Sequence, residues 1–192
     1  MKPEMLILLM YCALTLGAPA ASPLQAQSTS PEPSNADALV IQDFENRVDE
    51  YVKLRKKIKL PRLKPTSSGP AIAHHERECA GKIRVARRTA RQGDIFTPQI
   101  CAEFRRLIGT GVQGSQATRV RQSLKHAEPV RLRLRINALY PASVPLQSSP
   151  PTLLQNLPKL APEVDYRVVG HDLVLRDVEA NLIVDFMRNA IP

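Results

Sequence analysis

The stretch from Val164 to Met187 constrains the fold more than any other part of the chain. Val164–Val169 and Asp172–Asp177 flank Gly170-His171, a glycine-first pair of the kind that closes a tight two-residue β-hairpin. After Val178-Glu179-Ala180-Asn181, a further strand is predicted over Leu182–Met187, with Leu182, Val184 and Phe186 on one face; Leu173 and Leu175 share a face of the strand before it. Such alternation predicts a small antiparallel sheet with one covered side. Upstream, VRLRLRIN (residues 130–137) alternates apolar residues with arginines and reads as a half-buried strand. Between the two, residues 141–162 hold six of the 17 prolines, which predicts an irregular crossover.

The first part of the chain has helical periodicity instead. From Asp37 to about Ile58, Ile41, Phe44, Val48, Tyr51 and Ile58 form an apolar stripe broken only by Arg55. Ser34 and Asp37 give a capping-box-like start, and Pro61 forces an end. Residues 61–70 form a proline-punctuated linker. A second helix is predicted over Ala71–Arg91, with Gly93 as its C-cap. Thr97 then caps a third, with Pro98 at its first position and Gly109 at its stop. Ser115–His126 is a candidate fourth helix. The expected class is therefore α+β, with three to four helices over residues 37–126 and a β-rich region over 129–192.

Before residue 37 the composition changes twice. Met5–Leu16 is an apolar run of twelve, preceded by Lys2 and followed by Ala18-Pro19-Ala20-Ala21. It is too short to span a bilayer and has the layout of an export signal, cleaved after Ala20 or after Ala26. Residues 27–36 are rich in Ser and Pro and read as a disordered tether. Processing would leave about 166 of the 192 residues, with no long apolar run and so no transmembrane segment. The expected location is the periplasm or beyond, where disulfides form.

In that compartment Cys79 and Cys101 are a candidate disulfide worth about 3 kcal/mol. Spacing argues the other way. In a helical hairpin turning near residue 95, the two sit out of step by roughly 13 Å along the axis, more than a bridge tolerates. Metal-capable side chains are dense only at His74, His75, Glu76, Glu78 and Cys79, where His75 and Cys79 share a helix face. A structural site needs further ligands, for which Cys101, His126 and His171 are the candidates. Adjacent histidines are ordinarily solvated, so no metal or other cofactor is expected. Asp172, Asp177 and Asp185 with His171 are the only candidates for acid–base work, and no hydrolase or nucleotide-binding motif accompanies them. The expectation is a protein that is not an enzyme.

Charge is the one global signal. The chain carries a net charge of +9, and Lys53, Arg55, Lys56, Lys57, Lys59, Arg62 and Lys64 form a run with no acid. These seven are the candidate anion-binding residues, and Arg84–Arg91 is a second cationic stretch. Eight aromatics, no Trp and an export signal argue against nucleic acid. The expected partner is an anionic envelope component or another protein. A second copy of the chain, met through the stripe of helix 37–58, is a further candidate.

The run YRVVGHDLVLRDVEANLIVDF (residues 166–186) resembles the C-terminal hairpin of several small exported bacterial proteins of unknown function. It is similar, more loosely, to the hairpin of small periplasmic nickel/cobalt-homeostasis proteins, which has an aromatic-Arg start, a glycine turn and a closing apolar strand with an Asp. GDIFTP (residues 93–98) and EFRRLI (residues 103–108) are also similar to stretches of exported proteins without an assigned activity. Together these cover about a fifth of the chain. The resemblance implies architecture and compartment. It contains no ligand set, so no functional residue is carried over. Its implied alternative to an envelope-associated interaction protein is a periplasmic metal-homeostasis accessory.

Overall fold

A computed structural model describes residues 35–111, 133–141 and 151–191, together with positions 118 and 122. The predicted export signal, the tether up to residue 34, the Ser34 cap and the bulk of the candidate fourth helix lie outside the described residues. The class is α+β: helices α1 (Asn35–Lys57), α2 (Gly69–Ala86) and α3 (Pro98–Gly111) come first, and strands β1 (Val164–Val169), β2 (Asp172–Asp177) and β3 (Leu182–Met187) come last. A single-turn helix, α4 (Pro151–Leu154), stands in the predicted irregular crossover.

The sheet is a meander in the order β1-β2-β3, antiparallel throughout. Val169 pairs with Asp172 across Gly170-His171, so the turn is the predicted two-residue one. Gly170 sits at φ +60, where a Cβ is strained. Gly170→Ala is expected to cost about 1 kcal/mol, read as a fall of a few degrees in the melting temperature. An unchanged midpoint would mean that the turn is not tight in solution.

The expectation of one covered side needs correcting, because both faces of the sheet are buried. Leu173, Leu175, Leu182, Val184 and Met187 join the helices in the main core. Val169, Val174, Ile183 and Phe186 form a second cluster with Leu134 and Tyr140. Phe186 is thus on the opposite face from Leu182 and Val184. The cause is a β-bulge: Arg176 pairs with Ile183 but Leu175 pairs with Asp185, so Val184 is the extra residue and the alternation reverses after it.

The predicted strand over 130–137 also differs. Residues 130–132 lie outside the described residues, and the rest is irregular up to a turn at Ile136-Asn137. Asn137 adopts φ +61, which ends any extended run. The facing was nonetheless as expected, with Leu134 buried and Arg133 and Arg135 exposed. Past the turn, the chain runs beside β3 through Asn137 N–H to Ile183 O, Ile183 N–H to Ala138 O and Tyr140 N–H to Asn181 O.

α1 buries Phe44, Val48, Tyr51 and Val52. Phe44 lies 4.7 Å from Phe104 and 5.8 Å from Phe96, with Tyr166 of β1 closing the group. The stripe proposed for a second copy is therefore covered by this chain's own α3 and sheet. α1 also starts at Asn35 rather than Asp37, which takes in the last two residues of the predicted tether and puts Asp37 in the first turn, where an anion suits the helix dipole.

α2 begins earlier and ends earlier than its apolar spacing predicts. Ser68 is its N-cap and Pro70 lies in the first turn, a start signal hidden inside the proline-rich linker. The helix stops at Ala86 because Arg87 leaves helical geometry, at φ −116 and ψ 31. Its guanidinium reaches Asn137 Oδ1 and Val184 O and stacks over Tyr51. The loop that follows is fixed from the sheet. Asp185, fully buried, accepts from the backbone N–H groups of Gly93, Ile95 and Phe96. The bulge aims that carboxylate at the helices.

Candidate functional site

α1 delivers its cationic end to two different environments. Lys53, Lys57, Lys59, Arg62 and Lys64 are exposed, and among the described residues no carboxylate lies within ion-pair distance of them. Lys56 is exposed but reaches Glu163 at 3.5 Å. Arg55 departs from the predicted set. It is largely buried, donating from Nε to Asp177 Oδ2 at 2.9 Å and from Nη2 to Glu179 Oε2. It breaks the apolar stripe because it is the stripe's ionic partner to the sheet. Burial alone would lower the Arg55 pKa, but the two carboxylates outweigh it and raise it.

The second predicted cationic stretch divides the same way. Arg84 donates to Asn137 O and Arg87 is held as described above, while Arg88 and Arg91 remain exposed.

Arg55 belongs to a polar network that runs from α1 to α2 through the β2–β3 turn. Tyr51 donates to Asp177 Oδ2 at 2.7 Å, and Ala180 N–H donates to Asp177 Oδ1 at 2.8 Å. Asp177 is fully buried, so these contacts with Arg55 replace its hydration. Burial first, then the Asp177 charge, push the Tyr51 phenol well above its ordinary pKa. On the other side of Arg55, Glu179 Oε1 lies 3.1 Å from His75 Nε2, and the same nitrogen lies 3.5 Å from Cys79 Sγ. His75 and Cys79 stand one turn apart on the buried face of α2. A cleft of about 390 Å³, lined by Arg62, Leu63, Ile72, His75, Glu76, Val178 and Glu179, opens above them.

This arrangement differs from a nucleophilic triad. There, one imidazole nitrogen serves the thiol and the other serves the acid; here both contacts are made at Nε2. Burial first, and then the charges of Glu179 and Asp177, push the Cys79 thiol up to about 11, away from the thiolate a nucleophile needs.

No family model matches this chain, and no curated protein or solved structure is similar to it.

The remaining candidates fall into place around this network. Cys79 and Cys101 are both free thiols. Cys79 faces His75, whereas Cys101 donates to Phe96 O in the loop before α3, so the two candidate disulfide partners have separate neighbours in this structure. The early end of α2 does not bring them together, because each thiol is taken up by a local partner. His74 is exposed and takes no part in the cluster, and His126 lies outside the described residues. His171 is at the hairpin turn, with Nδ1 donating to Ile191 O. Asp172 accepts from Arg188 and Asn189 N–H. Asp177 and Asp185 are fixed by the contacts above, so none of these carboxylates faces another as an acid–base pair.

One member of the network had no signal in the sequence. Glu179 reads as an ordinary turn residue, and its meeting with His75 spans 104 positions. No helix of the structure is long and apolar enough to cross a membrane among the described residues.

Proposed function

We propose that the protein is an exported, non-enzymatic, envelope-associated protein that binds anionic surfaces through the end of α1 and the linker after it. The observation that carries this reading is the run Lys53, Lys57, Lys59, Arg62 and Lys64, exposed and without carboxylate partners among the described residues. Cations whose only role is solubility are ordinarily interspersed with acids; here, among the described residues, the one ion pair made by the exposed cations of the run is that of Lys56 with Glu163. Leu63 is 41% exposed between Arg62 and Lys64. An apolar side chain flanked by cations suits the headgroup region of an anionic bilayer, where each Lys or Arg contributes about 1 kcal/mol.

The test is co-sedimentation of the protein with vesicles of phosphatidylglycerol and phosphatidylcholine at rising salt. Binding is expected at low ionic strength, falling steeply toward 0.5 M salt by screening (a Debye length of roughly 4 Å there). Replacing Lys57, Lys59, Arg62 and Lys64 together by Gln is expected to weaken binding by about a thousandfold, with the circular dichroism spectrum unchanged. Salt-independent or undetectable binding overturns the reading, as does a quadruple variant that binds as tightly as the parent. The mass of the protein recovered from the periplasm tests the export half independently, through cleavage after Ala20 or Ala26.

A further inference from the structure

We propose that His75 Nε2, Cys79 Sγ and Glu179 Oε1 form a binding site for one first-row transition-metal cation of borderline softness, Zn²⁺ foremost, with a fourth position open to the cleft above α2. The three atoms come from α2 and the β2–β3 turn and all lie within 4.8 Å of one another. Three different ligand types converge, which is the donor set such cations prefer.

The distances carry the proposal further than the residue types do. Zinc binds sulfur at about 2.3 Å, imidazole nitrogen at about 2.0 Å and carboxylate oxygen at about 2.1 Å. In a tetrahedron those bonds place sulfur about 3.6 Å from nitrogen and nitrogen about 3.4 Å from oxygen. The structure has 3.5 Å and 3.1 Å. Two of the three edges therefore already have tetrahedral length, and the thiol–carboxylate edge closes by a small movement of Glu179, whose side chain is 36% exposed.

The protein-only network also leaves a conflict that a cation resolves. His75 Nε2 faces a carboxylate oxygen and a thiol sulfur at once. As a donor it satisfies Glu179 and leaves the thiol without an acceptor there. As an acceptor it satisfies the thiol and sets a lone pair against the carboxylate. A metal ion between the three takes one lone pair from each. Glu179 is already oriented for this, because Arg55 holds its other oxygen, Oε2, as an outer partner holds a ligating carboxylate. Arg55 is itself balanced by buried Asp177, so its charge does not stand alone beside the cation.

With three protein ligands and a solvent-facing fourth position, the site has the form in which zinc exchanges an external ligand rather than the closed form of a purely structural ion. Glu76 lines the same cleft and offers a further carboxylate beside it. The three ligands are separate from the basic surface, although Arg62 and Leu63 line the same cleft, so each proposal can fail without the other.

The probe is Co²⁺, followed by competition with Zn²⁺, on the purified full chain with its thiols reduced. One equivalent is expected to bind with a sulfur-to-cobalt charge-transfer band and visible bands of tetrahedral intensity, and Zn²⁺ is expected to bleach both. Cys79→Ser is expected to abolish the charge-transfer band. Glu179→Gln, at a partly exposed position where folding is not at risk, is expected to weaken binding by at least about tenfold. Cys101→Ser and His74→Ala are expected to leave the spectrum and affinity unchanged, and Cys79→Ser is expected to leave vesicle binding unchanged. Absence of a stoichiometric complex overturns the proposal. So does a charge-transfer band that is lost with Cys101 instead of Cys79, or an affinity that depends on His74 and not on Glu179.

Discussion

Replacing Asp185 by alanine is expected to cost about 4 kcal/mol, enough to lower the melting temperature by roughly 10 °C. The carboxylate is fully buried and is the common acceptor for the N–H groups of Gly93, Ile95 and Phe96. Removing it takes this acceptor from those three N–H groups and from the N–H of Phe186, and each buried donor left without a partner costs about 1–3 kcal/mol. The effect extends beyond the loop. Phe96 packs at 5.6 Å from Phe104 and 5.8 Å from Phe44, so the loop carries part of the aromatic core. Asp185→Asn keeps one acceptor oxygen and is expected to lose roughly half as much. Chemical unfolding of the parent and both variants measures the difference. An alanine variant within 1 kcal/mol of the parent would show that the loop holds its place without the carboxylate.

Arg55→Ala is expected to cost about 3 kcal/mol, whereas Lys57→Ala, two residues away, should change stability by less than about 0.5 kcal/mol. The contrast follows from their surroundings. Lys57 is exposed, but Arg55 is the counter-charge of an Asp177 side chain that is completely buried. Losing the guanidinium leaves that carboxylate with Tyr51 and one backbone N–H as its hydrogen-bond donors among the described residues. Adding Asp177→Asn to Arg55→Ala should recover part of the loss, because the uncompensated charge is then gone. Vesicle binding should run in reverse order, weakened by Lys57→Ala and barely changed by Arg55→Ala in the folded state. Equal stability of the two single variants would return Arg55 to the solvent-facing set.

The three strands were legible in the sequence to the residue, because a two-residue glycine turn pins the register and alternation does the rest. The helices were legible to within a few positions for the same reason of periodicity. What was not legible comes from contacts distant in sequence. Val184 looks like any other β-branched strand residue, yet it is the bulge that reverses the facing of Asp185 and Phe186. Arg87 sits on the cationic face of a helix whose apolar spacing runs on to Ala90, yet it leaves α2 to contact Asn137 and Val184. Arg55 was grouped with its six cationic neighbours because adjacency is all a charge run shows. Only Asp177 and Glu179, more than 120 positions later, separate it from them. Half of the candidate metal site, the His75 and Cys79 pair, was visible as an i,i+4 spacing, and its third ligand was not.

The order in which the chain is made has a consequence for how it folds. The helices come first, but the groups that complete them come last: Tyr51 waits for Asp177, 126 positions on, and the 93–96 loop waits for Asp185. The hairpin is local and closes on its own, whereas each helix-to-sheet contact must first overcome the entropy of a long loop. A nascent chain that has not yet extended past β3 can pack α1 on α3 through Phe44 and Phe104, but the helix faces that meet the sheet stay uncovered. Closure of the core is coupled to the arrival of β3, so the segment from α1 to β2 remains unlatched until Leu182–Met187 has been made.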